Sequence, residues 1–259
     1  LGVEIEAIGL ETGPVSRQLV EDFQSMGYNV KCLDARKASA FLKVNSSKND
    51  RNDARTLAEL IRMGTLTSIH HKSNDSVEIK TVLKARNTLI EQRTEMKNTI
   101  RGLLKFNGAK LTVGSIKVDS FIEAVRDSIK ELPELIKMAF EGLLMNLQSL
   151  DLRISELDKV VALLDKKHNE IVPRLKTMDG VGVITALAFV GEIDDPKRFK
   201  DGRSVGAYIG CVPTLYESGE TSIKGHITKK GPTYLRSLLH EAATVALTRT
   251  KKWSYLKKW

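Results

Sequence analysis

Residues 3–33, VEIEAIGLETGPVSRQLVEDFQSMGYNVKCL, decide what kind of fold opens this chain. Residues 3–10 are β-branched and apolar enough for a buried strand, and Glu11-Thr12-Gly13-Pro14 ends it. Val15, Leu19, Val20 and Phe23 then recur at helical spacing, with Gly27 placed as a C-terminal cap. Asn29 to Leu33 reads as a second short strand. A strand, a helix and a strand in so short a run form a βαβ unit, which implies a parallel sheet with helices on its faces.

Working outward, residues 35–42 read as a short helix, followed by a polar loop and a helix from about Asn49 to Met63. The pattern then changes. From Val77 to Leu104 the apolar positions are Val82, Leu89, Met96, Ile100 and Leu103, with Arg86 and Arg93 on the same seam. Ile136, Phe140, Leu143, Leu147, Leu150, Ile154, Leu157, Val161 and Leu164 alternate four and three apart without a miss. That is a coiled-coil seam. Residues 105–133, with Gly108, Gly114 and Pro133, supply the turn, giving an antiparallel helical hairpin between two domains that suits pairing with a second copy.

The bulk numbers set limits on function. With 259 residues, 41% apolar and 28% charged, the chain can bury an ordinary core and suits two modest domains. No apolar run approaches the roughly 20 residues of a membrane span, so no membrane partner is expected. Two separated cysteines, Cys32 and Cys211, are too few for a disulfide framework or zinc site and point to a reducing cytoplasm. A net charge of +9 favours phosphate-rich partners. An aromatic content of 5% argues against a surface that mainly stacks single-stranded bases.

Further along, LKTMDGVGVITALAFVGEI places a G-V-G turn (Gly180, Gly182) between two short helices. This helix-hairpin-helix-like turn offers backbone N–H groups to a DNA phosphate, and a plain helix–helix turn fits equally well. A glycine-rich polar segment with Ser218-Gly219 follows, then a basic loop, IKGHITKKGP. The last helix, Tyr234 to Leu247, carries Leu235, Leu238, Leu239, Ala242 and Val245 on one face.

Three carboxylates stand out. Glu11 ends the first strand, at the edge where open α/β sheets bind ligands. Asp50 and Asp53, three apart at a helix start, face the same way. Gathered together they could not all stay ionised without cations, and Mg²⁺ (or Mn²⁺) resolves the conflict. Taken alone, Asp50 is also a good N-cap and Asp53 suits the positive end of the helix dipole.

IGLETGP, KNDRNDA, MDGVGVITALAFVGEI, LYESGE and ITKKGPTYLRSLLHEAA, in that order, resemble the DEDD-type transposases of a bacterial insertion-sequence family, relatives of the Piv-type DNA invertases. The resemblance covers nearly the whole chain. It implies a RuvC-like (ribonuclease H fold) domain at residues 1–73, with Glu11, Asp50 and Asp53 as three of four metal-binding acids. It also implies a coiled-coil insertion at 74–169 and a mainly α-helical DNA-engaging domain at 170–259. The family's first acid is expected upstream of Glu11, so the chain reads as truncated at its front, and WSYLKKW suggests a missing tail. By the same resemblance Ser218 is the nucleophile, with Ser222 and Thr221 as rivals, and a structured guide RNA is a partner beside DNA. Lys224, Lys229, Lys230 and Arg236 read as phosphate contacts set among glycines, against a merely solvated basic loop; His226 reads as solvated. The expected function is a DNA transposase or site-specific recombinase. Its rivals are a Holliday-junction-type nuclease using water and a non-catalytic nucleic-acid-binding oligomer.

Overall fold

The computed structural model describes residues 4–43, 49–66, 68–111, 117–219, 221–251 and 258. The chain divides into two compact units, residues 1–72 and 73–259. In the first, β1 (Ile8–Glu11), α1 (Ser16–Ser25) and β2 (Val30–Leu33) form the βαβ unit, paired in parallel from Ile8 opposite Val30 to Glu11 opposite Leu33. Of the strand expected over 3–10, residue 3 lies outside the described residues and pairing among the rest starts at Ile8. Val20, Cys32 and Leu33 are buried beneath it. Asp34 caps α2 (Ala35–Leu42) by accepting the Arg36 N–H. Helix α3 (Asp50–Arg62) lies across β1, where the Ile61 side chain fills the space that a Cβ on Gly9 would take.

The second unit begins with α4 (Asn74–Phe106), α5 (Val118–Ser128) and α6 (Glu134–Lys167). Arg86 pairs with Asp158 and Arg93 with Asp151, each at 2.6 Å, so α4 and α6 run antiparallel. On α6 all nine seam positions are buried or half-buried, with Phe140, Leu147, Ile154, Val161 and Leu164 at 5% exposure or less. On α4 the heptad register fails at its end. Leu104 is buried and Leu103, expected on the seam, is 39% exposed. A straight helix drifts against a strict seven-residue repeat, and the four-residue step from Ile100 to Leu104 follows that drift.

The segment expected as a mere turn holds α5. Its Val118, Phe121, Ile122 and Val125 pack against Ile100, Leu104, Phe140, Leu144 and Leu147, making a second core at the far end of the hairpin. Burying each such side chain is worth about 1.5–3 kcal/mol, whereas a half-exposed ion pair such as Arg93–Asp151 contributes at most about 1 kcal/mol. Packing therefore holds the hairpin, and the paired charges set its register.

Beyond it come α7 (Val172–Lys176), α8 (Val183–Ile193), a 3₁₀ turn at Pro196–Arg198, α9 (Gly202–Ile209), β3 (Pro213–Ser218), β4 (Thr221–Ile227) and α10 (Thr233–Thr248). Ala186, Leu187 and Ala188 of α8 share one core with Ile79 and Leu83 of α4, Val161 and Leu164 of α6, Val172 and Leu235. The buried Glu192 carboxylate receives Lys80 Nζ at 2.7 Å and the Tyr208 hydroxyl at 2.7 Å, tying α4, α8 and α9 together. Burial, and then the bond to Glu192, pushes the Tyr208 phenol up to about 12. Helices predominate in this C-terminal part, as expected, and the antiparallel hairpin β3–β4 is added to them. The architecture is α/β plus α, and no described helix is long and apolar enough to cross a membrane.

Candidate catalytic serine and acidic residues

Glu11 is the last residue of β1, opposite Leu33, so it stands at the carboxyl edge of both parallel strands. Thr12 locks that edge: its N–H donates to the Leu33 carbonyl at 3.0 Å and its hydroxyl accepts the Ala35 N–H at 2.9 Å. At the start of α3 the cap is Asn49, whose side chain accepts the Asn52 N–H at 2.9 Å. Asp50 and Asp53 are thereby relieved of capping and occupy the first turn, in the favourable field of the helix N-terminus. Asp50 is exposed. Asp53 is half-buried, and its Oδ1 is shielded from solvent without a hydrogen-bond partner among the described residues.

A shielded, unsatisfied acceptor costs about 1–3 kcal/mol, and more for a charged group. A hard cation at Asp53 would offset that cost, so this donor fits Mg²⁺ or Mn²⁺. Among the described residues no three His, Cys, Asp or Glu side chains converge tightly enough to hold an ion. Glu11, Asp50 and Asp53 thus stand as separate donors on β1 and α3.

The serine sits in the hairpin. Ser218 ends β3 opposite Thr221, and Gly219 begins the turn at φ +57°. A left-handed first turn residue matches the twist of a tight hairpin, which is why glycine belongs there. Alternation then sorts the side chains. Tyr216 opposes Ile223 on the face that carries Ser218 and Thr221, while Glu217 opposes Ser222 and Leu215 opposes Lys224 on the other. Ser222 donates its hydroxyl to Glu217 Oε1 at 3.2 Å. The Ser218 side chain is exposed, and no described group hydrogen-bonds to it.

The basic loop is rigidly held. Thr228 N–H donates to the Val212 carbonyl at 2.8 Å and Lys229 N–H to the Gly210 carbonyl at 3.1 Å. Lys229 adopts φ +54°, a left-handed conformation that a side chain rarely takes. Lys224, Lys229, Lys230 and His226 are exposed. Arg236 differs: its Nη1 donates to the Ile209 carbonyl at 3.0 Å and its Nη2 to Thr233 Oγ1 at 3.3 Å, so it fastens α10 to the end of α9.

The glycines of the G-V-G turn also divide. Gly180, at φ +85°, packs so closely on α10 that a Cβ would collide with the Ala242 carbonyl oxygen. Gly182 is exposed with open space beside it, and it starts α8 without a side-chain cap. Of the two, Gly182 is the one open to a phosphate.

A transposase model of the DEDD type for IS110 matches residues 4–107, and the model described as Transposase IS116/IS110/IS902 family matches residues 172–257. The chain belongs to the IS110/IS116/IS902 family of transposases. Among similar proteins of the family is the "Transposase for insertion sequence element IS1111A" of Coxiella burnetii, 29% identical over 88% of this chain and 62% of its own length. A "Probable family 20 transposase" of Pseudomonas aeruginosa is 26% identical over 97% of this chain and 75% of its own. The "Putative transposase y4pF/y4sB" of Sinorhizobium fredii is 29% identical over 94% and 62%. This chain thus spans about three fifths of the length of two of these transposases and three quarters of the third.

Proposed function

We propose that the chain is the working part of an insertion-sequence transposase that cuts and rejoins DNA through Ser218. The observation that carries this reading is the exposed Ser218 hydroxyl at the tip of a hairpin, beside a glycine and close in sequence to exposed lysines, in a chain of the transposase family. The Ser218 oxygen attacks the phosphorus, the Oγ–P bond forms and the P–O3′ bond breaks. The serine proton leaves with solvent, the 3′ oxygen takes one up, and a 5′-phosphoseryl link conserves the bond energy. A second 3′ hydroxyl attacks that link, rejoins the strand and returns the serine. Lys229 and Lys230, with the first-turn N–H groups after Gly182, hold flanking phosphates in place.

Glu11, Asp50 and Asp53 would serve as separate carboxylate donors to Mg²⁺ or Mn²⁺ in a RuvC-like domain, completed by substrate phosphate oxygens, with Asp53 as the donor best supported by its unsatisfied oxygen. Such a cation would supply positive charge to phosphate oxygens bound at that domain. The bacterial cytoplasm, where the DNA lies, is the place of action. A structured RNA that selects the target fits the +9 charge. Assembly into dimers or tetramers uses α6, whose Leu135, Met138, Met145 and Leu152 form an exposed stripe at three- and seven-residue steps outside the buried seam.

Incubation of the full-length protein with Mg²⁺, labelled element-end DNA and its RNA tests the reading. A covalent protein–DNA adduct that disappears in Ser218→Ala supports it. Cleavage with no adduct would instead mark a water-using nuclease, and neither product a non-catalytic binder.

A further inference from the structure

We propose that Tyr216 and Ile223 form a platform that stacks an unpaired base next to the phosphodiester attacked by Ser218. The inference rests on the assignment of Ser218 above and adds the state of the substrate: the cut strand must present a base out of its duplex. Tyr216 and Ser218 are two apart on one strand and so project from the same face, about 6.6 Å apart along it. That interval is comparable with one nucleotide of an extended strand.

The pair is poorly explained by folding alone. Tyr216 is 66% and Ile223 58% exposed, so among the described residues nothing buries the face they share. Gly225 lies beside the ring: a Cβ there would sit 3.4 Å from Tyr216 Cε2 and would collide with Thr214 Oγ1. The absent side chain leaves that edge of the tyrosine ring uncrowded, on a residue that is largely exposed. Lys229 and Lys230, in the loop that follows the hairpin, are exposed and complement a phosphate backbone. An aromatic face flanked by lysines is the general means of holding single-stranded nucleic acid, and it tolerates any base. A chain with 5% aromatics cannot line a channel with rings, but one ring at the reacting step suffices.

The test places 2-aminopurine, in turn, at the positions flanking the cleaved phosphate of element-end DNA bound to the full-length protein. Its fluorescence should be quenched at one flanking position by the wild type and by Tyr216→Phe. In Tyr216→Val, which keeps a strand-forming residue across from Ile223, the quench should vanish and affinity fall roughly five- to 150-fold. Thermal unfolding of the Phe and Val variants controls for folding, since Tyr216 is exposed. Unchanged quench and affinity in Tyr216→Val, or no quench at any position in the wild type, overturns the platform. Loss of cleavage in Ser218→Ala alongside either result leaves the serine assignment standing, whereas cleavage surviving in Ser218→Ala overturns that assignment and the platform's place beside it.

Discussion

Lys229 offers a test in which stability and binding should move in opposite directions. Its φ of +54° puts a side-chain-bearing residue in the left-handed region, which costs roughly 1–2 kcal/mol. The conformation is imposed by neighbours, because the Lys229 N–H is held by the Gly210 carbonyl and Thr228 N–H by Val212. Lys229→Gly removes the strain, although the freer unfolded chain takes back about 0.5–1 kcal/mol. Lys229→Ala keeps the strain and loses the same charge. The glycine variant should therefore be more stable than the alanine variant by about 1 kcal/mol, or roughly 2–4 °C in Tm for a unit of this size. Both should weaken DNA binding, and each should lower the slope of log affinity against log salt by about one, the signature of one lost phosphate contact. Scanning calorimetry and fluorescence anisotropy across a salt series read the two quantities. Equal Tm values for the two variants would refute the strain, and an unchanged salt slope would refute the phosphate contact.

Other outcomes follow from the same geometry. Asp53→Asn should reduce the Tm gain on adding Mg²⁺, because it removes the anionic donor, checked by thermal unfolding with and without the ion. Tyr208→Phe should cost about 1–3 kcal/mol in denaturant unfolding, since it leaves the buried Glu192 with one fewer donor. The folded Tyr208 pKa of about 12 lies above the ordinary 10.0, so its stabilisation is complete below pH 10.0 and is lost as pH rises through about 12. That loss should be absent in the phenylalanine variant. Gly180→Ala should destabilise by more than about 2 kcal/mol, because it combines a left-handed φ with a collision at the Ala242 carbonyl, while Gly182→Ala should fold normally and weaken DNA binding.

Long periodic segments were the most legible part of the sequence. Nine seam positions on α6 read correctly because a burial pattern repeated over 34 residues averages out local noise. The βαβ unit is visible for a similar reason, although residues 4–7 carry strand-like composition and remain unpaired. Helix α5 was hidden by the glycines and proline around it, yet Val118, Phe121, Ile122 and Val125 carry helical spacing that a narrower window would have caught. The β3–β4 hairpin gave almost no inside–outside contrast, because Leu215, Tyr216, Ile223 and Ile227 are all exposed; only the glycine turn between alternating residues marked it.

The site was legible in its residue types and opaque in its roles. KNDRNDA shows two aspartates at a helix start, but only the structure shows Asn49 taking the cap and leaving Asp53 with an unsatisfied oxygen. Arg236 reads as one more basic residue beside a loop. Its partner is a carbonyl at Ile209, on another helix, and no local pattern encodes that contact. Gly180 and Gly182 look equivalent in sequence and are separated by what lies beside them.

Mass spectrometry of the trapped protein–DNA adduct, after digestion of both components, tests the central claim most directly. The nucleotide remnant should map to the peptide containing Ser218, with fragmentation placing it on that residue and with Ser222→Ala leaving the adduct intact. A remnant on Ser222, whose hydroxyl faces Glu217 on the opposite side of the hairpin, would contradict the account.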